Sequence, residues 1–178
     1  GADPMPSMGQ DAATQRDVRG PQQKEPVAAG AVPQPGPLSG LRVLELADEK
    51  GQWCGKLMAD MGADVIKIEE PENGDEIRSW MPFWNGESTQ FVTFNRNKRS
   101  LAVNLKEPDG LKIVKDLAAD ADVMIESFRA GTLERLGLGY EEIKKINPGV
   151  VYCSISGYGR TGPMSDMPGY DLLIQAYS

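Results

Sequence analysis

The stretch that decides the predicted fold is Leu41–Glu69, LRVLELADEKGQWCGKLMADMGADVIKIE. It begins with a short apolar strand, residues 41–47 (LRVLELA), and ends with a second strand, residues 64–69 (DVIKIE). A helical repeat separates the two strands, and Gly62 follows it as a typical C-terminal stop. The apolar face of this predicted helix, residues 52–61, consists of Cys54, Leu57, Met58 and Met61. A strand, a helix and a strand in this order predict a βαβ unit.

The alternation of strand and helix continues through the rest of the chain. Three more strands are predicted at residues 101–105 (LAVNL), 122–126 (DVMIE) and 150–155 (VVYCSI). One helix opens at Glu107, with Pro108 suited to its first turn, and another lies around residues 140–146. The inner face of the first of these helices is predicted to hold Leu111, Val114, Leu117 and Ala118. The predicted fold class is therefore α/β, with a Rossmann-like, doubly wound and mainly parallel sheet.

Composition divides the chain near Pro37. Residues 1–36 contain six prolines and lack Phe, Trp and Tyr, so they are predicted to be a disordered tail with too little apolar surface to fold. Within the tail, residues 1–4 are interpreted as a remnant of expression cloning. Residues 37–178 are the predicted Rossmann-like domain. Residues 71–100 interrupt its rhythm, and an insertion of that length is usually functional or packed against another part of the molecule.

Composition also excludes several classes of function. The 178 residues include no histidine, which excludes a Ser-His-Asp triad, a Cys-His pair and a histidine-ligated metal within this sequence. A net charge of −7 argues against general affinity for nucleic acid, and no apolar run reaches the ~18 residues of a membrane span. Cys54 and Cys153 are expected to be buried free thiols, and no metal site is expected. Without an evident secretory signal, the expected location is the cytoplasm.

One motif superficially indicates a dinucleotide site. Gly157-Tyr-Gly159-Arg-Thr-Gly162 matches the G-x-G-x-x-G pattern after a predicted strand. A dinucleotide fingerprint also needs a helix that begins within the motif, but Pro163 and Pro168 delay any helix until about Gly169. The motif is therefore interpreted as a tight glycine turn that lets the chain pass close to a neighbour.

The carboxyl ends of the predicted strands carry the candidate ligand contacts. In open α/β sheets, ligands bind beyond these ends near the switch in strand order, where the first loop, residues 48–52, would lie. An ordinary loop remains the alternative there. The candidate phosphate contacts are Lys98, Arg99, Lys106, Arg129 and Arg135. Phe128 beside Arg129 suits an adenine nucleotide, with its phosphate paired and its base stacked, although charged loop residues are often only solvated.

Several stretches in a fixed order resemble the class III coenzyme A transferases (CaiB/BaiF-type, formyl-CoA transferase-like), a family with a branch of acyl-CoA racemases. The matching stretches are PLSGLRVLEL (37–46), MGADVIKIE (61–69), NRNKRS (95–100), LERLG (133–137), Asn147-Pro148, and Gly157-Tyr-Gly159 with Gly162-Pro163. The resemblance implies that residues 37–178 form the N-terminal portion of a Rossmann-like CoA-binding domain, truncated at its C-terminal end. It also implies an interlocked homodimer for the full-length protein.

The resemblance further implies an activity and a set of contacts. The activity is transfer of CoA from an acyl-CoA donor to a free carboxylic acid through an aspartyl-CoA thioester. By motif, the residues that contact CoA are Glu49, Lys50, Gly51, Lys106, Ser127, Phe128, Arg129 and Arg135. The nucleophilic aspartate is expected about thirty residues beyond Tyr170, past Ser178. The first loop and Glu70 depart from the family pattern.

Tyr170-Asp171 distinguishes the branches of this family. The racemase branch carries a histidine at the position of Tyr170, because moving an α-proton needs a base that titrates near neutrality. Tyrosine, with a reference pKa of about 10, is a poor replacement, so the α-methylacyl-CoA racemase alternative is less favoured. Asp171 is either a supporting carboxylate beside the nucleophile or an ordinary first residue of a helix. A non-catalytic CoA-binding or assembly module remains the second alternative.

Overall fold

The structure, a computed structural model, describes residues 35–177. In chain order its elements are β1 (Arg42–Leu46), α1 (Gln52–Asp60), β2 (Asp64–Glu69), a 3₁₀ helix (Glu76–Ser79), β3 (Phe83–Trp84), β4 (Glu87–Ser88), α2 (Thr89–Asn95), β5 (Arg99–Ala102), α3 (Pro108–Ala119), β6 (Val123–Glu126), α4 (Thr132–Arg135), α5 (Tyr140–Ile146), β7 (Val151–Ser154) and α6 (Asp171–Tyr177). Strands β3 and β4 form a separate antiparallel hairpin.

The main sheet of the described region is parallel and doubly wound. Its strand order is β5-β2-β1-β6-β7, and each neighbouring pair is parallel. The chain builds one half of the sheet outward from β1 to β5 and then returns to place β6 on the other side of β1. This reversal puts the topological switch point between β1 and β6. The predicted Rossmann-like α/β class is confirmed.

One face of the sheet packs against α3 and α5. Leu44 and Leu46 of β1 point to this face, where they join the buried Val114 and Ala118 of α3 and Ile143 of α5. Pro108 begins α3, a position where its missing N–H costs no helical hydrogen bond. The predicted start and inner face of this helix are therefore confirmed.

The predicted apolar face of α1 is right for Cys54 and Met58, which pack against the core, and wrong for Leu57 and Met61. Leu57 and Met61 are 44% and 39% exposed, whereas the helix buries Gln52, Gly55, Lys56 and Ala59. The reason is that α1 covers the buried Glu45 of β1, a side chain that needs polar neighbours. Gly55 leaves room for it, because a Cβ on Gly55 would lie 1.7 Å from the Glu45 carboxylate.

The basic run before β5 does not reach the carboxyl edge of the sheet. The predicted strand 101–105 begins instead at Arg99, which pairs with Ile66 of β2, so the run lies at the opposite edge. Lys98 points inward, and its Nζ lies 2.8 Å from Oε1 of Glu45. Arg99 forms an ion pair of 3.0 Å with Asp64. Lys98 and Arg99 are therefore wrong as candidate phosphate contacts.

The insertion over residues 71–100 is packed onto the domain. It contains the 3₁₀ helix, the hairpin and α2. Asn95 of α2 donates a 2.9 Å hydrogen bond to Gln52 of α1. Arg78 donates to Glu69, at the end of β2, through its Nε and its Nη2. This outcome agrees with the interpretation that the insertion packs against another part of the molecule.

The predicted tail lies mostly outside the described residues. Within the described part, Gly36 packs closely against the end of α1, since a Cβ there would lie 2.1 Å from the carbonyl oxygen of Met61. Leu38 donates its N–H to the same oxygen at 3.0 Å. Across residues 35–177 no helix is both long and apolar enough to cross a membrane.

Candidate functional site

A cavity of about 680 Å³ opens at the carboxyl edge of the sheet. The segments that follow β1, β2, β5 and β6 form its walls, together with residues of α4. Several parallel strands end there, so backbone and side-chain groups from distant parts of the sequence converge on one space. The cavity adjoins the switch point between β1 and β6.

A pair of hydrogen bonds joins the two strand ends at the switch point. The N–H of Asp48, after β1, donates to Oγ of Ser127, after β6, at 2.9 Å. The Ser127 hydroxyl in turn donates to Oδ1 of Asp48 at 2.7 Å. Both residues line the cavity. This reciprocal contact fixes the spacing of the two loops that form the cavity floor.

Four of the predicted CoA contacts line this cavity: Lys106, Ser127, Phe128 and Arg135. Lys106 follows β5 and Arg135 ends α4, and both side chains are exposed to the cavity opening. Phe128 is half-buried and packs against the hydrophobic core. The structure thus brings two cations and an aromatic ring to the lining of one cavity.

The other four predicted contacts, Glu49, Lys50, Gly51 and Arg129, do not line the cavity. Burial alone would lower the pKa of the Lys50 ammonium, but its ion pair with Asp48 raises it. Gly51 is buried where a Cβ would lie 2.6 Å from Cβ of Ala47. Arg129 is exposed and donates to the carbonyl oxygen of Asp166 at 2.7 Å. Their role in binding CoA stays a prediction.

The wall of the cavity at the end of β2 is acidic. Asp75 lies there with its carboxylate 2.8 Å from the Lys67 ammonium, and Glu69 is bound by Arg78. Burial raises the pKa of Glu69, but hydrogen bonds from Arg78 and Ser100 outweigh burial and lower it to about 2.

Glu70 and Glu76 lie on the same wall as exposed side chains. Sequence reasoning missed this wall apart from noting Glu70, although two glutamates at the end of a predicted strand were a visible signal. The two exposed carboxylates line the same cavity as Lys106 and Arg135. The cavity lining therefore carries charges of both signs, and an anionic group is favoured beside Lys106 and Arg135.

Tyr170 lies away from the cavity lining. Tyr170 is 64% exposed and immediately precedes α6, which begins at Asp171. The segment from Gly157 to Tyr170 contains no helix, so the prediction that no helix begins within the glycine motif is confirmed. In the described part of the chain, no cluster of three potential metal ligands is present.

Comparison with known proteins identifies the family. The sequence model of the family described as CoA-transferase family III matches residues 38–178 of the chain. The chain belongs to CoA-transferase family III. A mouse relative, succinyl-CoA:glutarate CoA-transferase, is 52% identical over 144 residues, which are 80% of this chain and 33% of the relative. Succinate–glutarate CoA-transferase from Agrobacterium fabrum is 47% identical over 150 residues, covering 80% of this chain and 38% of the relative.

Solved structures agree with the assignment to family III. A CAIB/BAIF family protein from Brucella suis is 45% identical, with a TM-score of 0.76, and the match covers 81% of this chain and 39% of that one. The chain therefore spans between a third and two fifths of the length of these family members. The match places the sheet and its carboxyl-edge cavity within the fold of the family.

Proposed function

We propose that this chain forms the CoA-binding part of an acyl-CoA:carboxylate CoA-transferase. The single observation that carries the proposal is the placement of Lys106, Phe128 and Arg135 around one cavity at the switch point. This is the position where open α/β sheets bind nucleotides. Membership of family III supports CoA as the nucleotide.

Lys106 and Arg135 in the cavity lining suit the nucleotide part of CoA. The exposed Lys106 and Arg135 offer charge-assisted hydrogen bonds to phosphate oxygens. The ring of Phe128 also lines the cavity and offers a surface for the adenine. These local groups are needed because the chain as a whole carries a charge of −7 and repels anions at long range.

The proposed chemistry is nucleophilic catalysis by a carboxylate. The carboxylate oxygen attacks the thioester carbonyl carbon and expels CoA as its thiolate, which leaves a mixed anhydride. The thiolate then attacks the enzyme side of the anhydride, which releases the donor acid and forms an aspartyl-CoA thioester. The acceptor acid reverses these steps. We propose that the nucleophile lies past residue 178, as the family resemblance implies, so residues 35–177 contribute binding rather than the reacting group.

The relatives' names support a more specific substrate class. Proteins 52% and 47% identical to this chain are named for transfer between succinyl-CoA, or succinate, and glutarate. We therefore propose a dicarboxylic acid as acceptor and a dicarboxylic acyl-CoA as donor. Tyr170 in place of a histidine supports a transferase over a racemase. A cytoplasmic homodimer is proposed for the whole protein.

Calorimetry with CoA tests the site. Charge reversal by Lys106→Glu or Arg135→Glu should weaken CoA binding roughly 10- to 100-fold, the usual effect of losing a hydrogen bond between charged partners. Lys144→Glu, an exposed change of equal charge on α5, is the matched control and should leave the affinity within about twofold. Equal effects of the three substitutions, or no effect of any, would contradict the assignment of the site.

A chemical trap tests the placement of the nucleophile. The purified chain is incubated with succinyl-CoA and glutarate and then treated with hydroxylamine, which captures acyl and CoA adducts on carboxylates. We expect no adduct on this chain. A stoichiometric adduct on any of its residues would show that the nucleophile lies within the 178 residues.

A further inference from the structure

Arg160, the central charged residue of the glycine motif, is bound inside the domain. Its Nη1 donates to Oε1 of Glu126 at 2.6 Å and also contacts the hydroxyl of Ser154. Its Nη2 binds the carboxylate of Glu134 on α4. Only 26% of the Arg160 side chain is exposed, and Glu126 is fully buried. A buried carboxylate needs such a partner, because an uncompensated charge there is very costly.

Glu126 connects Arg160 to Phe128 in the wall of the cavity. Its second oxygen, Oε2, accepts a 2.8 Å hydrogen bond from the backbone N–H of Phe128. One oxygen of this carboxylate therefore holds the loop after β7, while the other holds the loop after β6. Phe128 lines the cavity, so its backbone is fixed from behind the cavity by Arg160 through Glu126.

Glu134 links Arg160 to the helix that carries Arg135. Glu134 directly precedes Arg135 on α4. Burial raises the pKa of the Glu134 carboxyl, but hydrogen bonds from the backbone and from Arg160 outweigh burial and lower it. Glu134 thus stays ionised and bound to Arg160, which limits rotation of the short helix that carries Arg135. One guanidinium therefore restrains both Phe128 and Arg135.

The loop that carries Arg160 is itself closed and docked. Gly157 and Gly169 meet at its base, where a Cβ on Gly157 would lie 2.5 Å from Cα of Gly169. A second attachment joins Arg129, after β6, to the carbonyl oxygen of Asp166 at 2.7 Å. The loop is thus closed at its base and tied by Arg129 to the segment after β6, which holds its guanidinium in a defined place.

We propose that Arg160 is a positioning residue for the CoA cavity, acting on Phe128 through Glu126 and on Arg135 through Glu134. The inference rests on the proposed CoA-binding function and adds a residue outside the cavity lining to it. It gives the glycine motif a role other than dinucleotide binding: Gly157 closes the loop against Gly169, and the arginine orients the site.

The first test measures CoA affinity by calorimetry for Arg160→Met and Arg160→Lys. Lysine keeps a positive charge beside Glu126 but has a single ammonium, so it cannot also hold Glu134 in the geometry of a guanidinium. We expect Arg160→Lys to weaken CoA binding about tenfold and Arg160→Met to weaken it further. Arg99→Lys, in an ion pair at the opposite edge of the sheet, is the matched control and should bind as the wild type does.

The second test reads the position of Phe128 directly by amide hydrogen exchange. Arg160→Lys should speed exchange at the Phe128 amide while leaving the Leu44 amide of the central strand unchanged. If Arg160→Met does not fold, Arg160→Lys alone carries both tests. Wild-type CoA affinity in Arg160→Lys, or faster exchange at Phe128 and Leu44 alike, would overturn the positioning role. Failure of the wild-type chain to bind CoA would instead overturn the proposed function, and the inference with it.

Discussion

The ammonium of Lys98 lies 2.8 Å from both carboxylate oxygens of Glu45, and the two side chains are buried beneath α1. Burial raises the pKa of the Glu45 carboxyl and lowers that of the Lys98 ammonium. Lys67 lies 2.8 Å from Asp75 and 3.5 Å from Glu45, so two cations face two anions. This balance allows four charged groups to remain inside the domain.

Removing Lys98 should therefore destabilise the domain strongly. Lys98→Met fills the space but leaves Glu45 with Lys67 as its remaining cationic partner at 3.5 Å. We expect a loss of about 3–5 kcal/mol in the free energy of unfolding, the usual cost of breaking a buried ion pair from one side. Urea denaturation of the purified wild-type and variant chains measures this difference in the free energy of unfolding.

An exposed lysine provides the control for this change. Lys112→Met removes an ion pair with Asp116 on the surface of α3, where both side chains are more than half exposed. It should change the free energy of unfolding by less than about 1 kcal/mol. Similar losses for Lys98→Met and Lys112→Met would contradict a structural role for the buried pair.

The strands of the parallel sheet were predictable from the sequence, whereas the burial of charged side chains was not. Alternating strand and helix patterns predicted all five parallel strands, because each buried strand is a short apolar run of its own. Glu45 and Lys67 lie inside such runs, and no local pattern indicates that Lys98, far along the chain, completes their pairing. Gln52 of α1 is buried beside them, and its backbone carbonyl oxygen accepts a hydrogen bond from the Lys98 ammonium, which the apolar pattern of α1 did not indicate.

The position of the cavity could be predicted from the order of strands and helices, whereas its acidic wall could not. Lys106 and Phe128 were predicted from their position after strands of a parallel sheet, and parallel strands end at one edge whatever the detailed packing. Arg135 was predicted as a candidate phosphate contact and from the family resemblance. The acidic wall depends on how the insertion over residues 71–100 folds back onto β2. That packing is set by contacts between distant residues, such as Arg78 with Phe91, where the guanidinium lies 3.7 Å from the ring centroid.

Glu69 should contribute a pH-dependent part of the stability. Its pKa is lowered from 4.5 to about 2, so it stabilises the fold above its unfolded pKa, and this contribution disappears as the pH falls toward 2. Glu69→Gln should therefore lose less stability between pH 6 and pH 3 than the wild type does. Arg78→Met should weaken the same dependence by removing the main partner. Thermal unfolding across this pH range measures both, and identical pH profiles for all three proteins would contradict the prediction.

Glu70 should oppose the binding of an anionic ligand. It is exposed on the acidic wall of the cavity, so its charge raises the free energy of a bound phosphate through the intervening space. Glu70→Gln should tighten CoA binding about two- to fivefold at low ionic strength, with a smaller gain near 0.5 M salt because of screening. Glu141→Gln, an exposed change on α5, should have no such effect. Equal affinity of the Glu70 variant and the wild type at low salt would contradict the prediction.

Closure of the loop between Gly157 and Gly169 should depend on the absence of side chains. A Cβ on Gly157 would lie 2.5 Å from Cα of Gly169, a contact that the backbone can relieve only by opening the loop. Gly157→Ala should cost roughly 1–3 kcal/mol locally and speed tryptic cleavage after Arg160, because opening releases that side chain from Glu126. Gly149→Ala is the control, since its Cβ would meet nothing closer than 3.8 Å. Cleavage after Arg160 at the wild-type rate in Gly157→Ala would show that the loop is not held by this contact.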